Sequence, residues 1–108
     1  MSVEAAIKEK IASKKVVVYS KSSCPFCKKA KQVFQKYLNN RLLSREDYEV
    51  IEIENDPNCV AIQTYMMKKT GARTVPRVFV KGKFIGGGDQ VVGKDSSGEL
   101  KRLLQDKE

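Results

Sequence analysis

Between Val16 and Tyr19 the chain is apolar at every position, while on either side of that run the apolar residues fall into helical spacing. A short continuous apolar run reads as a buried central strand. Upstream, Val3, Ile7 and Ile11 share one face and Lys8 and Lys10 lie on others, which predicts an amphipathic helix over 3–12. Downstream, Ala30, Val33, Phe34, Tyr37 and Leu38 repeat at the i, i+3, i+4, i+7, i+8 spacing of a buried stripe. That stripe predicts a second helix from Pro25 to about Leu38, with Lys28, Lys31, Gln32, Gln35 and Lys36 on the wet face and Asn39-Asn40 as its stop. A polar connection through Ser44, Arg45, Glu46 and Asp47 then leads to a strand over Tyr48 to Ile53.

Asp56 as N-cap and Pro57 at the first helical position predict a third helix. It runs to Thr70, with Lys68 and Lys69 in the last turn and Gly71 just beyond, as helix ends prefer. Arg77 to Val80 and Phe84 to Gly86, joined by Lys81-Gly82-Lys83, predict a hairpin. A final helix follows, with Ser96 and Glu99 at capping-box spacing and Leu100, Leu103 and Leu104 facing inward. The order α-β-α-β-α-β-β-α implies an α/β fold: a four-stranded mixed sheet with helices on both faces, opening with a parallel right-handed βαβ unit.

The 108 residues make one small domain, 1–108, with 41% hydrophobic and 31% charged residues, as in ordinary soluble chains. No apolar run approaches the roughly eighteen residues a membrane span needs, so no membrane partner is expected. Residues 1–15 lack the apolar core of a secretory signal and carry Glu4 and Glu9, so a cytoplasmic, reducing setting is the expectation. The net charge of +8 is scattered without a block of basic residues, which describes a solvated surface better than a nucleic-acid face. Three cysteines without a single histidine leave zinc short of ligands and a Cys-His hydrolase without its base. No bound metal is expected.

What remains is the pair Cys24-Pro25-Phe26-Cys27 at a strand-to-helix junction, the placement of a thiol redox site. The first turn of a helix leaves N–H groups unpaired, and with the helix dipole they favour negative charge. Pro25 suits the first helical position, so Cys24 falls near the N-cap and Cys27 one turn in. A free thiol titrates near roughly 8.5, and such an environment lowers it to about 3.5–7.5. Cys24 is therefore expected as the exposed thiolate nucleophile and Cys27 as the protonated, resolving thiol.

With these residues assembled, the chain resembles a glutaredoxin of the dithiol type, on the thioredoxin-like fold. The resemblance rests on Lys21 three before Cys24, the Cys24 to Cys27 pair, Gln63, the stretch Thr70 to Phe79, and Gly86-Gly87-Gly88-Asp89. It implies glutathione as co-substrate beside Cys24, no permanently bound cofactor, and a monomer. The partners it implies are glutathionylated and disulfide-containing proteins, with glutathione reductase coupled through oxidised glutathione. The implied glutathione contacts are Lys21, Phe26, Gln63, Thr74, Val75, Pro76, Gly88 and Asp89. Lys21 would meet the glycyl carboxylate and favour the Cys24 thiolate, and Gln63 would reach the same carboxylate. Val75, before a proline the family holds cis, would pair with the tripeptide backbone. Gly88 and Asp89, entering a short helical turn, would offer N–H groups to the γ-glutamyl carboxylate.

Two positions depart from the family pattern. Phe26 stands where tyrosine is common, and Gln90 where aspartate is common, which removes a charge near the expected glutathione amino group. Two further readings belong to other classes: a dimer sharing an iron–sulfur cluster through Cys24, against which Pro25 argues, and a thioredoxin served by its own reductase, against which Lys21 and Gln63 argue.

Overall fold

A computed structural model describes residues 2–105. Helix α1 (Val3–Ser13) leads into β1 (Val16–Ser20), α2 (Pro25–Asn39), a single 3₁₀ turn (Arg45–Asp47) and β2 (Tyr48–Glu52). Then come α3 (Cys59–Thr70), β3 (Arg77–Val80), β4 (Lys83–Gly86), α4 (Gly88–Ser97) and α5 (Glu99–Gln105). The strands form one sheet in the order β2-β1-β3-β4, with β1 parallel to β2 and the other neighbours antiparallel.

All five residues of β1 are buried, as expected of a strand covered on both faces. Its pleat sends Val16 and Val18 into a core with Ala30, Phe34 and Tyr37 of α2, Val91 of α4, and Leu100 and Leu104 of α5. Val17 and Tyr19 point the other way, into a core with Ile7 and Ile11 of α1 and Ile62, Tyr65 and Met66 of α3. The mixed sheet between two helical layers is thus the predicted one. The hairpin loop is Lys81-Gly82, with φ of 54° and 82°, the left-handed pair that suits a two-residue turn between twisted strands.

Two boundaries differ from the spacing. Asp56 does not cap α3: its carboxylate accepts from the Asn58 N–H at 2.7 Å, and its carbonyl accepts from the Cys59 N–H. Asp56 and Pro57 therefore shape a turn, and the helix starts at Cys59. The final helix is also two helices, because Gly98 takes a left-handed φ of 85° and ends α4. The hydroxyl near Glu99 belongs to Ser97, which accepts the Glu99 N–H at 3.3 Å, and not to Ser96. Among the described residues no helix is long and apolar enough to cross a membrane.

Candidate active site

β1 ends at Ser20, and the turn Lys21-Ser22-Ser23 carries the chain off the sheet into α2. Cys24 is the N-cap of α2, with extended φ and ψ of −86° and 120°, and Pro25 follows at the first helical position. The Cys24 Sγ therefore lies over the first turn and accepts the Cys27 N–H at 3.3 Å. Cys27 is wholly buried, and its Sγ accepts the Lys21 N–H at 3.5 Å. The turn is closed by the Cys24 N–H donating to the Lys21 carbonyl at 3.1 Å.

These surroundings separate the two thiols. Partial burial pushes the Cys24 thiol up, but hydrogen bonds from the Cys27 thiol and from the N–H groups of Cys27 and Phe26, with the charge of Lys31, outweigh it. The Cys24 thiol consequently sits below its ordinary value. Burial, reinforced by the hydrogen bond to Cys24, pushes the Cys27 thiol up, and the Lys21 N–H and Ser20 hydroxyl oppose this without reversing it. One charge that reaches Cys24 is that of Lys31, and Lys21 meets the pair through its backbone N–H and carbonyl.

Lys31 is also not a solvated lysine of the outer face. Its Nζ pairs with Glu52 at 2.8 Å, at the open end of β2.

The loop before β3 faces the pair. The Val75–Pro76 peptide is cis. The Val75 carbonyl stands 3.7 Å from Cys24 Sγ, within reach of the thiol proton. Pro76 is buried beneath and Thr74 is exposed on the rim. Arg77 anchors this loop, donating to the Pro76 carbonyl at 3.1 Å and the Thr70 hydroxyl at 3.2 Å, with its guanidinium over the Phe84 ring.

Gln63 on α3 donates its amide to the Arg73 carbonyl at 3.0 Å, and its oxygen faces the half-buried Cys59 thiol at 3.6 Å. Phe26 is 48% exposed beside Cys24, with the Lys29 ammonium over its ring.

From the other side α4 closes on the redox turn. A Cβ on Gly88 would stand 2.9 Å from the Phe26 carbonyl oxygen and 3.0 Å from the Phe26 Cβ, so only glycine lets the helix approach this near. Gly88 and Asp89 open a ten-residue helix and not the short turn expected, so the N–H groups of its first turn lack intrahelical partners where the helix meets the redox turn at Phe26. Gln90 has a task of its own: its Oε1 accepts the Gly87 N–H at 2.9 Å and ties down the loop that delivers α4.

The structure thus brings Cys24, Cys27, Phe26, Val75 and Gly88 together around the redox turn, with Pro76 buried next to Val75 and with Asp89, Thr74 and Gln63 on the adjoining helices and loop. A separate hollow at the opposite end of the sheet lies between Lys15, Arg41, Lys83 and Leu103, and holds none of these residues. Among the described residues no three side chains of the metal-binding types converge. Sequence reasoning missed Ser20, Lys31 and Glu52 beside the thiols. No local signal marked them: Ser20 and Glu52 meet only through the pairing of β1 with β2.

Comparison with known proteins gives one answer. The family model described as glutaredoxin matches residues 16–85. The chain is 44% identical over 98 residues to glutaredoxin-C4 of Arabidopsis thaliana, covering 91% of this chain and 67% of that one. Its structure superposes on that of oxidised glutaredoxin 2 from Chlamydomonas reinhardtii with a TM-score of 0.82 at 46% identity, over 94% and 89% of the two chains. A buckwheat glutaredoxin in complex with glutathione matches with a TM-score of 0.80 at 36% identity, over 93% and 84%.

Proposed function

The chain belongs to the glutaredoxin family of glutathione-dependent oxidoreductases, and on that footing we propose that it reduces protein–glutathione mixed disulfides and small disulfides through Cys24. The reading is carried by one observation: the Cys24 sulfur caps a helix, accepts the Cys27 N–H at 3.3 Å, and faces the carbonyl of a cis Val75–Pro76 bond. The thiolate of Cys24 attacks the glutathione sulfur of the substrate, the S–S bond breaks, and the protein leaves as a thiolate. A second glutathione then attacks, giving oxidised glutathione and restoring Cys24. In the dithiol route the Cys27 sulfur displaces glutathione instead and closes a Cys24–Cys27 disulfide. A depressed thiol serves twice, as an ionised attacker and as a good leaving group.

Geometry supports the tripeptide site beside it. The Val75 backbone offers strand-like pairing, and the first turn of α4 at Gly88 and Asp89 suits the γ-glutamyl carboxylate. On this reading Lys21 and Gln63 would meet the glycyl carboxylate, and Phe26, Thr74 and Pro76 would be further contacts of the tripeptide. Oxidised glutathione links the enzyme to glutathione reductase, and a monomer acting in the cytoplasm, where thiols stay reduced, completes the proposal.

The test is turnover of a glutathionylated protein with glutathione and glutathione reductase. Cys24→Ser should abolish turnover and Cys27→Ser should retain it; the reverse pattern refutes the roles. Turnover with thioredoxin reductase in place of glutathione would refute the substrate class.

A further inference from the structure

Tyr19 is 3% exposed, yet its hydroxyl makes no hydrogen bond to any of the described residues. Tyr37, buried to a similar degree, donates its own to Asp95 at 2.6 Å. A buried phenol ordinarily finds such a partner, because an unbonded hydroxyl away from water is costly. Among the described residues every wholly enclosed side-chain oxygen or nitrogen is bonded, so the Tyr19 hydroxyl opens on free space.

That space is a hollow of about 250 Å³ on the side of the sheet covered by α1 and α3. Tyr19 and Ile51 line it from the sheet, Val3, Ala6 and Ile7 from α1, and Ile62 from α3. None of Cys24, Phe26, Val75 and Gly88 takes part in it. The two charged residues of its lining, Lys10 and Asp56, carry opposite signs, and both are engaged within the protein. Lys10 meets both oxygens of Glu49 at 3.1 Å, and the Asp56 carboxylate accepts the Asn58 N–H at 2.7 Å. The Tyr19 hydroxyl therefore keeps hydrogen-bonding capacity that these groups have spent. Burial, and then the charge of Glu49, push its phenol up, so it stays neutral and able to donate at neutral pH.

Chemistry and size define what fits. A water is held well only with roughly two to four polar partners, whereas Val3, Ala6, Ile7, Ile51 and Ile62 offer hydrocarbon. An apolar cavity of about 150 Å³ takes benzene, so this larger hollow admits a ring with a substituent. The balanced charges of its lining favour an uncharged occupant.

We propose that this hollow binds a neutral molecule about the size of one substituted ring, with its apolar body against Ile7, Ile51 and Ile62 and a single hydroxyl or carbonyl paired with Tyr19. Burial of the ring supplies affinity, and the hydrogen bond fixes its orientation. The site is independent of the redox reading, so its test does not use turnover.

The experiment is a titration of the whole reduced chain, labelled at its isoleucine methyls, with phenol and separately with toluene, followed by NMR. Phenol should shift the Ile7, Ile51 and Ile62 methyls saturably, with one dissociation constant for all three. Tyr19→Phe keeps the ring and removes the hydroxyl. It should weaken phenol about two- to tenfold, the worth of one neutral hydrogen bond, and leave toluene unchanged. Ala6→Leu, at an exposed position of the lining, should weaken both and keeps the proposal testable should Tyr19→Phe fail to fold. Benzoate, of similar size but charged, should bind more weakly than phenol. Absence of a saturable shift at the three isoleucines overturns the site, as does wild-type affinity for phenol in Ala6→Leu. Equal affinity for phenol in Tyr19→Phe and wild type overturns the role of the hydroxyl, and tighter binding of benzoate than of phenol overturns the choice of a neutral ligand.

Discussion

Two glycines of one helix should respond to the same substitution with opposite signs. At Gly88, the first residue of α4, an added Cβ meets the Phe26 carbonyl oxygen at 2.9 Å and the Phe26 Cβ at 3.0 Å. Neither is the free end of a side chain, so the helix start or the redox turn must move. Overpacking of this kind costs about 1–3 kcal/mol. Against it stands the stiffening of the unfolded chain by alanine, about 0.4–1 kcal/mol. The clash wins, and Gly88→Ala should lose roughly 1–2 kcal/mol net, or about 4–8 °C in Tm per kcal/mol for a domain near this size.

At Gly93, in the exposed middle of α4, an added Cβ meets nothing within 4 Å. Gly93→Ala should therefore gain about 0.5–1 kcal/mol from helix propensity alone. Urea unfolding of both variants measures the signs. Steady-state kinetics adds a second readout: Gly88→Ala pushes the start of α4 away from the redox turn at Phe26 and should raise KM for a glutathionylated substrate more than it changes kcat. If Gly88→Ala proves as stable as Gly93→Ala with an unchanged KM, the close approach of α4 to the redox turn is not what positions the site.

Lys31→Met should move the pH midpoint of Cys24 alkylation upward, because it removes a cation that favours the thiolate; an unmoved midpoint would assign the depression to the hydrogen bonds from the Cys27 thiol and the helix N–H groups. Phe34, wholly buried between β1 and α2, should cost about 3–5 kcal/mol on change to alanine, and a loss under 1 kcal/mol in urea would refute its central place in the core. Burial and Glu52 push the Tyr48 phenol up to about 12. The unfolded chain gives up that proton near pH 10 while the native state keeps it, so folding stability falls as pH rises from about 10 to about 12. Tyr48→Phe should flatten that fall in urea midpoints, and parallel curves for the two proteins would contradict it.

Where the sequence spoke clearly, local chemistry decided the structure. The unbroken apolar run at Val16, the stripe on α2 and the Lys81-Gly82 turn each permit one arrangement, and the redox pair lies where Pro25 opens the helix. The misread positions depended on partners distant in the chain. Asp56 and Pro57 suit a helix start and a turn equally well, and the Asn58 N–H settled the choice. Gly98 falls in a polar stretch that helical spacing runs straight through, yet its left-handed φ divides α4 from α5. Lys31 has the spacing of a solvated lysine, and only the return of β2 beside β1 brings Glu52 to it. Ser20, one residue past the apolar run, drew no reading for the same reason, since the register between strands some thirty residues apart is fixed by packing and is not written locally. Gln90 reads as a lost charge in isolation, whereas the fold uses it to hold the Gly87 N–H.

The central claim is that the fold makes one sulfur anionic and keeps its neighbour protonated. Iodoacetamide alkylation of the reduced protein across pH 4 to pH 9, with each site identified by mass, measures this directly. Modification should fall on Cys24 with a midpoint well below the ordinary thiol value of roughly 8.5, while Cys27 stays unmodified. A Cys24 midpoint at or above that value, or labelling of Cys27 first, would contradict the account.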